Sequence, residues 1–239
     1  MIKPDTPDEK IPYAKFDHDT YARTRAPDDF WGQIRRTVQG QPVSDEQIKM
    51  IVQAIKWGLG MRSDDVLLDL ACGNGALSFR LFDSCKEFVG VDLSEYLISV
   101  AKKNYEVLPR YRFLEQGAAE YVRLDPLPQR FSKVLCYGSF SYFPADDAAD
   151  VLQLLFEKFS NVRTVYIGNL PDKERAAEFY KAKQPNAEEL SDSSSQIGIW
   201  RTRSEFAQLA GNVGWKVRFS TMPADFYASY YRFDAVLSR

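Results

Sequence analysis

Residues 66–81 combine a short apolar run, an acidic side chain and a turn of small residues. The acid is Asp69, and the turn contains Gly73 and Gly75. Because glycine has no Cβ, a ligand can approach the backbone closely at these positions. Apolar residues at helical spacing follow, and the N-terminus of a helix offers free N–H groups with a partial positive charge. We therefore predict a strand, a ligand-binding turn and a helix.

A second acid, Asp92, ends the next apolar run, and Ser94 behind it is a predicted helix cap. A carboxylate at this point can accept hydrogen bonds from both hydroxyls of a ribose. Asp92 lies roughly 20 residues beyond the glycine turn, which is the spacing expected of a nucleotide ribose ligand. The two motifs together predict a site for a nucleotide-like cofactor.

These motifs resemble those of class I S-adenosylmethionine-dependent methyltransferases, and of small-molecule methyltransferases in particular. The family turn carries three glycines at alternate positions after the acid, and this chain has Ala71, Gly73 and Gly75 there. The resemblance implies that the turn surrounds the methionine part of S-adenosyl-L-methionine, and that Asp92 holds its ribose. Asp69 is expected to act through the loop or a water. The product would be S-adenosyl-L-homocysteine.

The resemblance also implies an adenine site after the third predicted strand. Related enzymes often have Gly-Asp-Ala-Glu there, with the Asp on the adenine amino group, whereas this chain has Gly117, Ala118 and Ala119. We expect backbone N–H groups near Ala118 and Ala119, or the side chain of Gln116, to contact the adenine. Leu93, which follows the ribose acid, is expected to cover it.

The acceptor site is predicted beyond the carboxyl ends of the later strands, where ligands lie in this fold class. Cys136 and Tyr137 end the fourth predicted strand and are expected to border the methionine part of the cofactor. Polar residues that follow the fourth and fifth strands are expected to contact the acceptor: Ser139, Ser141, Tyr142 and Asn169. Ordinary core packing is the alternative for the aromatic cluster. The absence of Asn-Pro-Pro-Tyr disfavours methylation of base or amide nitrogens.

His18 is the only histidine of the chain and the candidate general base. Histidine is the usual base near neutral pH, and O-methylation requires removal of a proton. Tyr21 is a second catalytic candidate, and Arg25 is a candidate contact for the acceptor. A solvated histidine in a polar segment is the alternative.

Composition narrows the class of partner. The net charge is −2 and no block of Lys or Arg occurs, which disfavours a nucleic-acid partner. No Cys/His cluster is present, so no metal is expected. The three cysteines are scattered, and we see neither an apolar run of membrane-spanning length nor a signal peptide. We expect a cytoplasmic protein without a membrane partner, as a monomer or homodimer.

Apolar runs that alternate with helical patterns predict the elements that position these residues. Strands are predicted at 66–70, 87–91, 111–115, 133–137, 164–168, 215–220 and 230–237. Before them, helices are predicted at 29–38 and behind a capping box, Ser44 with Gln47. The expected fold is α/β: a three-layer Rossmann-like sandwich with a mainly parallel seven-stranded sheet, a C-terminal antiparallel strand and an N-terminal helical extension.

Residues 1–62 are predicted to form an N-terminal segment and helical cap, and residues 63–239 the cofactor-binding domain, with a lid-like insertion at 171–198. The predicted function is methyl transfer to a small polar acceptor, a hydroxyl oxygen of a metabolite or sugar-type molecule. The alternatives are a non-catalytic binder of the cofactor, a protein or RNA methyltransferase, and a nicotinamide oxidoreductase. The last is disfavoured because Ser78 stands where a dinucleotide motif needs its third glycine.

Overall fold

The structure is a computed structural model that describes residues 13–181 and 185–239, with side chains from residue 18 onwards. The strands are β1 (Thr37–Val38), β2 (Gln41–Pro42), β3 (Val66–Leu70), β4 (Glu87–Asp92), β5 (Tyr111–Glu115), β6 (Lys133–Tyr137), β7 (Thr164–Pro171), β8 (Lys216–Ser220) and β9 (Arg232–Ser238). The helices are α1 (Tyr13–Arg23), α2 (Phe30–Gln33), α3 (Asp45–Leu59), α4 (Ala76–Phe79), α5 (Glu95–Tyr105), α6 (Ala118–Leu124), α7 (Ala145–Lys158), α8 (Ala176–Tyr180), α9 (Ala187–Ser191) and α10 (Arg203–Gly211).

Seven strands form one sheet in the order β5-β4-β3-β6-β7-β9-β8. Strands β3 to β7 run parallel, and β9 is antiparallel to both of its neighbours. The predicted mainly parallel seven-stranded sheet with a C-terminal antiparallel strand is therefore confirmed. The strand order reverses between β3 and β6, and this reversal opens a crevice at the carboxyl ends of the strands.

Successive side chains of the central strands enter two separate cores, because side chains alternate across a strand. Leu67 and Leu135 pack on one face with residues of α3 and α5. Leu68 and Val134 pack on the other face with residues of α7 and α10. Both faces of the sheet are thus covered, which makes the fold a three-layer sandwich.

Two predictions for the N-terminal region are corrected. Only Phe30–Gln33 of the predicted helix at 29–38 is helical, because the left-handed backbone of Arg35 (φ +52°) ends it. Thr37–Val38 then pairs with Gln41–Pro42 across a turn. The predicted capping box is half formed. Ser44 caps α3 and accepts a hydrogen bond from the amide of Gln47, whose side chain instead reaches the backbone near Tyr227.

The strands agree with the sequence patterns better than the helices do. Helix α5 begins behind its predicted cap, Ser94, and ends at Tyr105, whereas α4 has only four residues. Helices α6 and α9 had no sequence prediction. Within residues 13–181 and 185–239, no helix is long and apolar enough to cross a membrane.

Candidate functional site

The carboxyl ends of the parallel strands border one cavity of about 1020 Å³. Its wall includes Asp69 on β3, Asp92 on β4, Tyr137 on β6 and Asn169 on β7. The volume is at the upper end of the roughly 300–1,000 Å³ typical of small-molecule sites. A cavity of this size can hold a nucleoside cofactor and a small second molecule together.

The glycine turn and Asp92 form one hydrogen-bonded unit. The amide of Gly73 donates to Oδ2 of Asp92 at 2.8 Å, and the amide of Ser94 donates to Oδ1 at 2.9 Å. Burial raises the pKa of Asp92, and these amide donors oppose that shift. Each carboxylate oxygen has a second lone pair, so both can still accept from the hydroxyls of a ribose.

Asp69 is buried at the floor of the cavity and accepts a hydrogen bond from the Ser78 hydroxyl at 2.7 Å. Burial raises the pKa of Asp69 to about 7, against the Ser78 hydrogen bond and the positive charge of Arg36, which lower it. The side chain is therefore poised to ionise when a cation binds near it. Sequence reasoning had used Ser78 only as an argument against a dinucleotide motif.

Ala71 stands in the first glycine position of the turn, and the structure shows what that substitution involves. Its backbone is left-handed, with φ +59°, a conformation that glycine adopts freely and alanine does not. Gly75 is constrained differently, because a Cβ there would lie 2.9 Å from the ring of Phe113. Ala71 lines the cavity, whereas Gly75 faces the core.

Asn74, in the middle of the turn, attaches the N-terminal region to the site. It is fully buried, and its Nδ2 donates to the Phe30 carbonyl at 2.7 Å and to Gln33 Oε1 at 2.9 Å. Helix α2 is thereby fixed against the glycine turn. Sequence reasoning gave Asn74 no role, and only its place between the two glycines was a signal.

The predicted adenine end of the site lies at the N-terminus of α6. Gly117 precedes that helix without a side-chain cap, and Gly117, Ala118 and Ala119 all line the cavity. Leu93 lies beside them, since a Cβ on Gly117 would be 3.0 Å from its Cδ2. The predicted contacts are thus gathered in one place.

The N-terminal helix α1 borders the cavity through His18 and Tyr21. His18 and Tyr142 both line it, and their rings meet edge to face with centroids 4.8 Å apart. Asp19 follows His18 in α1 and is half-buried. It accepts hydrogen bonds from the Ser94 hydroxyl at 2.5 Å and the Tyr96 amide at 3.1 Å. Asp19 therefore fixes α1 on the first turn of α5.

Fourteen of the eighteen predicted site residues line the cavity: His18, Tyr21, Asp69, Ala71, Gly73, Asp92, Leu93, Gly117, Ala118, Ala119, Tyr137, Ser139, Tyr142 and Asn169. The remaining four do not line it. Gly75 faces the core, Cys136 belongs to the core on one face of the sheet, and Arg25 bonds to the Tyr21 hydroxyl. Ser141 is buried and donates to the Ile197 carbonyl at 2.8 Å.

The covering segment, residues 193–197, lies behind α9. It and Ile199 are hydrogen-bonded to the aromatic segment, residues 139–143, which follows β6. The Tyr142 hydroxyl donates to the Gln196 carbonyl at 2.9 Å, and the Ile199 amide donates to the Ser141 carbonyl at 2.7 Å. This segment consequently lines the same cavity as the glycine turn, through Ser193, Ser194 and Gln196. This explains the burial of Ser141, which holds the covering segment.

Two arginines that sequence reasoning missed also line the cavity, Arg36 and Arg232. Arg36 lies beside the ring of Tyr137, with its Cζ 4.9 Å from the centroid, and Arg232 lies beside the ring of Tyr231. Neither arginine belongs to a sequence motif. Arg36 lies between α2 and β1 in the N-terminal region, and Arg232 is the first residue of β9 near the C-terminus. Only the arrangement of the folded chain could have identified them.

Comparison with known proteins agrees with this geometry. Residues 67–158 match the methyltransferase domain family. YqeM of Bacillus subtilis is 33% identical over 91 residues, which cover 38% of this chain and 36% of that protein. The 23S rRNA (uracil(1939)-C(5))-methyltransferase RlmD of Marinomonas is 33% identical over 114 residues, covering 45% of this chain and 26% of that one. The matched segments thus span about a third of these relatives.

Among solved structures, magnesium protoporphyrin IX methyltransferase (ChlM) from Synechocystis with bound SAM aligns with a TM-score of 0.59 at 17% identity. The alignment covers 98% of this chain and 100% of that one, and at this identity it establishes the fold. Residues 67–158 thus match a methyltransferase domain, and the glycine turn and Asp92 within this segment have the arrangement seen in class I methyltransferases. The cofactor of this class is S-adenosylmethionine.

The residues present fit that cofactor. Asp92 has free lone pairs for a ribose, and Asp69 can meet the cationic methionine end from the buried floor of the cavity. The backbone at Gly73 and Gly117 carries no side chain that would fill the cavity between them. Other residues that line the cavity, such as Asn169 and Arg232, lie outside these motifs and can contact a second molecule.

Proposed function

We propose that the protein transfers a methyl group from S-adenosylmethionine to a hydroxyl oxygen of a small polar acceptor. The observation that carries this proposal is the composition of the cavity wall. One side is the cofactor motif, and the other side consists of α1, the aromatic segment and the covering segment at 193–197. An acceptor enclosed on three sides must be small.

The acceptor side of the cavity offers hydrogen-bonding groups suited to a polar molecule. Asn169 lies at an irregularity of β7, where the pairing register with β9 shifts, and its backbone is left-handed with φ +63°. A bulge of this kind redirects a side chain. The buried Oδ1 of Asn169 has no hydrogen-bond partner among the described residues, so it can accept from an acceptor hydroxyl. Ser139 lies nearby, with its hydroxyl 3.4 Å from the Ala71 carbonyl.

His18 is the proposed general base. It borders the cavity from α1, its ring is held against Tyr142, and it is half-buried. The bound cofactor supplies a methyl group already activated by a positive sulfur. The O–C bond forms as the S–C bond breaks, and the hydroxyl proton passes to His18. Burial of the acceptor between α1 and residues 193–197 excludes water from this transfer.

Two alternatives predicted from the sequence are a protein or RNA methyltransferase and a non-catalytic binder of the cofactor. A protein or RNA acceptor would need an open approach to the methyl group, and one relative by its name methylates rRNA. The net charge of −2 and the cavity volume of about 1020 Å³, shared with the cofactor, favour a small molecule. If the protein only binds the cofactor, the cofactor would occupy its side of the cavity and no methyl group would be transferred.

The test uses the purified chain with S-adenosylmethionine labelled in its methyl group and fractions of small polar metabolites. We expect label in a small, base-stable product. With that acceptor, His18→Gln should lower kcat by about a hundredfold or more. Thr20→Ala, an exposed change on the same helix, should leave kcat unchanged. Label in protein or tRNA alone, or none in any fraction, would reject the proposal.

A further inference from the structure

Arg36 is a buried cation whose charge acts on Asp69 without an ion pair to it. Its side chain is only 8% exposed, and Nε and Nη1 have no hydrogen-bond partner in the part of the chain that the structure describes. Arg36 also forms no salt bridge with a described residue. A buried ionised group without partners is costly, so a fold that retains one has a use for it.

Arg232 lies on the same side of the cavity. Its Nη1 donates to the carbonyl of Asn169, which leaves other guanidinium N–H groups for a ligand. Asp234 interacts electrostatically with Arg232, and it already accepts a hydrogen bond from the Asn169 amide at 2.7 Å. Burial raises the pKa of Asp234, although Arg232 opposes that shift. Arg36 and Arg232 thus bring two positive charges to the wall of the cavity.

The donors converge on the end of β6. A Cβ placed on Gly138 would lie 3.5 Å from Nη2 of Arg36 and 3.4 Å from Nδ2 of Asn169. The side chain of Tyr137 feels the positive charges of both arginines, which lower its pKa against the dominant effect of burial. The Arg36 guanidinium and the Asn169 amide thus meet at one position beside the glycine turn, and Arg232 is attached to the same Asn169 through its carbonyl.

We propose that this position binds an anionic group of the acceptor, a carboxylate or a phosphate-type group, through Arg36 and Arg232. The proposal rests on the proposed function and narrows its acceptor to a hydroxyl compound that carries an acid. Arginine side chains bind such groups through paired N–H donors. The unpartnered Oδ1 of Asn169 then faces the uncharged, hydroxyl-bearing part of the same molecule.

The carboxylate of the cofactor offers the same chemistry, so the experiment must separate the two sources. We would first saturate the protein with S-adenosylhomocysteine, which fills the cofactor side and supplies its own carboxylate. Sodium phosphate and sodium acetate are then titrated against sodium chloride at equal ionic strength, by calorimetry and thermal melting. The variants are Arg36→Met, Arg232→Met and the control Arg123→Met. Arg123 also lines the cavity but is paired with Asp150 at 2.6 Å.

We expect phosphate or acetate to bind the saturated wild type, about tenfold or more weakly to Arg36→Met and Arg232→Met, and unchanged to Arg123→Met. Affinity for S-adenosylhomocysteine should be the same in all four proteins. Arg36→Met should also melt no lower than the wild type without ligands, because it removes an unpaired buried charge.

Three results would overturn the proposal: no response of the wild type beyond chloride, equal anion binding by Arg36→Met, or loss of S-adenosylhomocysteine affinity in Arg36→Met with anion binding retained. The last would assign Arg36 to the cofactor carboxylate. If S-adenosylhomocysteine fails to bind the wild type, the proposed function fails instead. The anion titration of the cofactor-free protein then still tests the arginine pair separately.

Discussion

The amide of Gly73 donates to Oδ2 of Asp92 at 2.8 Å, so the glycine turn and the acid at the end of β4 hold each other in place. The side chain of Asp92 is thereby oriented before any ligand arrives. Its other oxygen is fixed by the Ser94 amide. Preorganisation of this kind lowers the entropy lost on binding.

Replacement of Asp92 should therefore weaken cofactor binding strongly. Asp92→Ala removes both acceptors for the ribose hydroxyls, and hydrogen bonds to a charged group contribute about 1.5–3 kcal/mol each. We expect at least a ~tenfold loss of affinity for S-adenosylhomocysteine, measured by titration calorimetry. Asp83→Ala, which removes an exposed carboxylate paired with Lys56, is the control. An unchanged affinity of Asp92→Ala would place the ribose elsewhere.

Ala71→Gly should stabilise the protein. At φ +59° alanine is strained by about 1–2 kcal/mol, and glycine in exchange costs about 0.5–1 kcal/mol of backbone entropy. The expected gain is ~0.5–1 kcal/mol in urea unfolding. Ala76→Gly, in the first turn of α4, should instead destabilise. The opposite order of the two variants would show that the turn is not left-handed at Ala71.

The stability contributed by Asp69 should fall as the pH rises. Its folded pKa is raised to about 7 from 3.8 in the absence of ligand, so the native state retains a proton that the unfolded chain releases. The contribution is therefore complete at low pH and is lost through the folded pKa, by ~4 kcal/mol in all. The measurement is the difference in unfolding free energy between wild type and Asp69→Asn from roughly pH 4 to pH 8. A difference that does not change with pH would mean that Asp69 is ionised when buried.

The attachment of α1 should depend on Asp19. Burial alone would raise the pKa of Asp19, but hydrogen bonds from Ser94, Arg23 and Tyr96 together hold it below its usual value. The attachment is thus present at neutral pH and weakens as the pH falls through that lowered pKa. Asp19→Ala should increase amide hydrogen exchange in α1, whereas Asp19→Asn keeps an acceptor oxygen without the charge and should exchange faster than the wild type but more slowly than Asp19→Ala. Equal exchange in Asp19→Ala and wild type would contradict this role.

Local patterns predicted the seven-stranded sheet because each of its strands contains a short group of apolar residues with a clear end. Val66–Leu70, Tyr111–Glu115 and Lys133–Tyr137 begin and end at the predicted residues. The region at 29–38 was predicted wrongly because its composition permits a helix, and the left-handed backbone at Arg35 is not visible in residue types.

The cofactor side of the site follows from residues close in sequence, and its glycine and acid positions could be read directly. The acceptor side could not, since it joins residues from distant elements. Arg35 and Arg36 are adjacent and chemically alike, yet only Arg36 is buried. The contact between His18 and Tyr142 likewise spans most of the chain and exists only after α1 has packed on α5.

Thermal melting with S-adenosylmethionine, S-adenosylhomocysteine, NAD and NADP in parallel tests the central claim most directly. A ligand that binds the folded state raises the melting temperature by mass action. We predict a rise with the two sulfur nucleosides, none with NAD or NADP, and loss of the rise in Asp92→Ala. A rise with NAD or NADP alone, or none with either sulfur nucleoside, would contradict the assignment of the cofactor site.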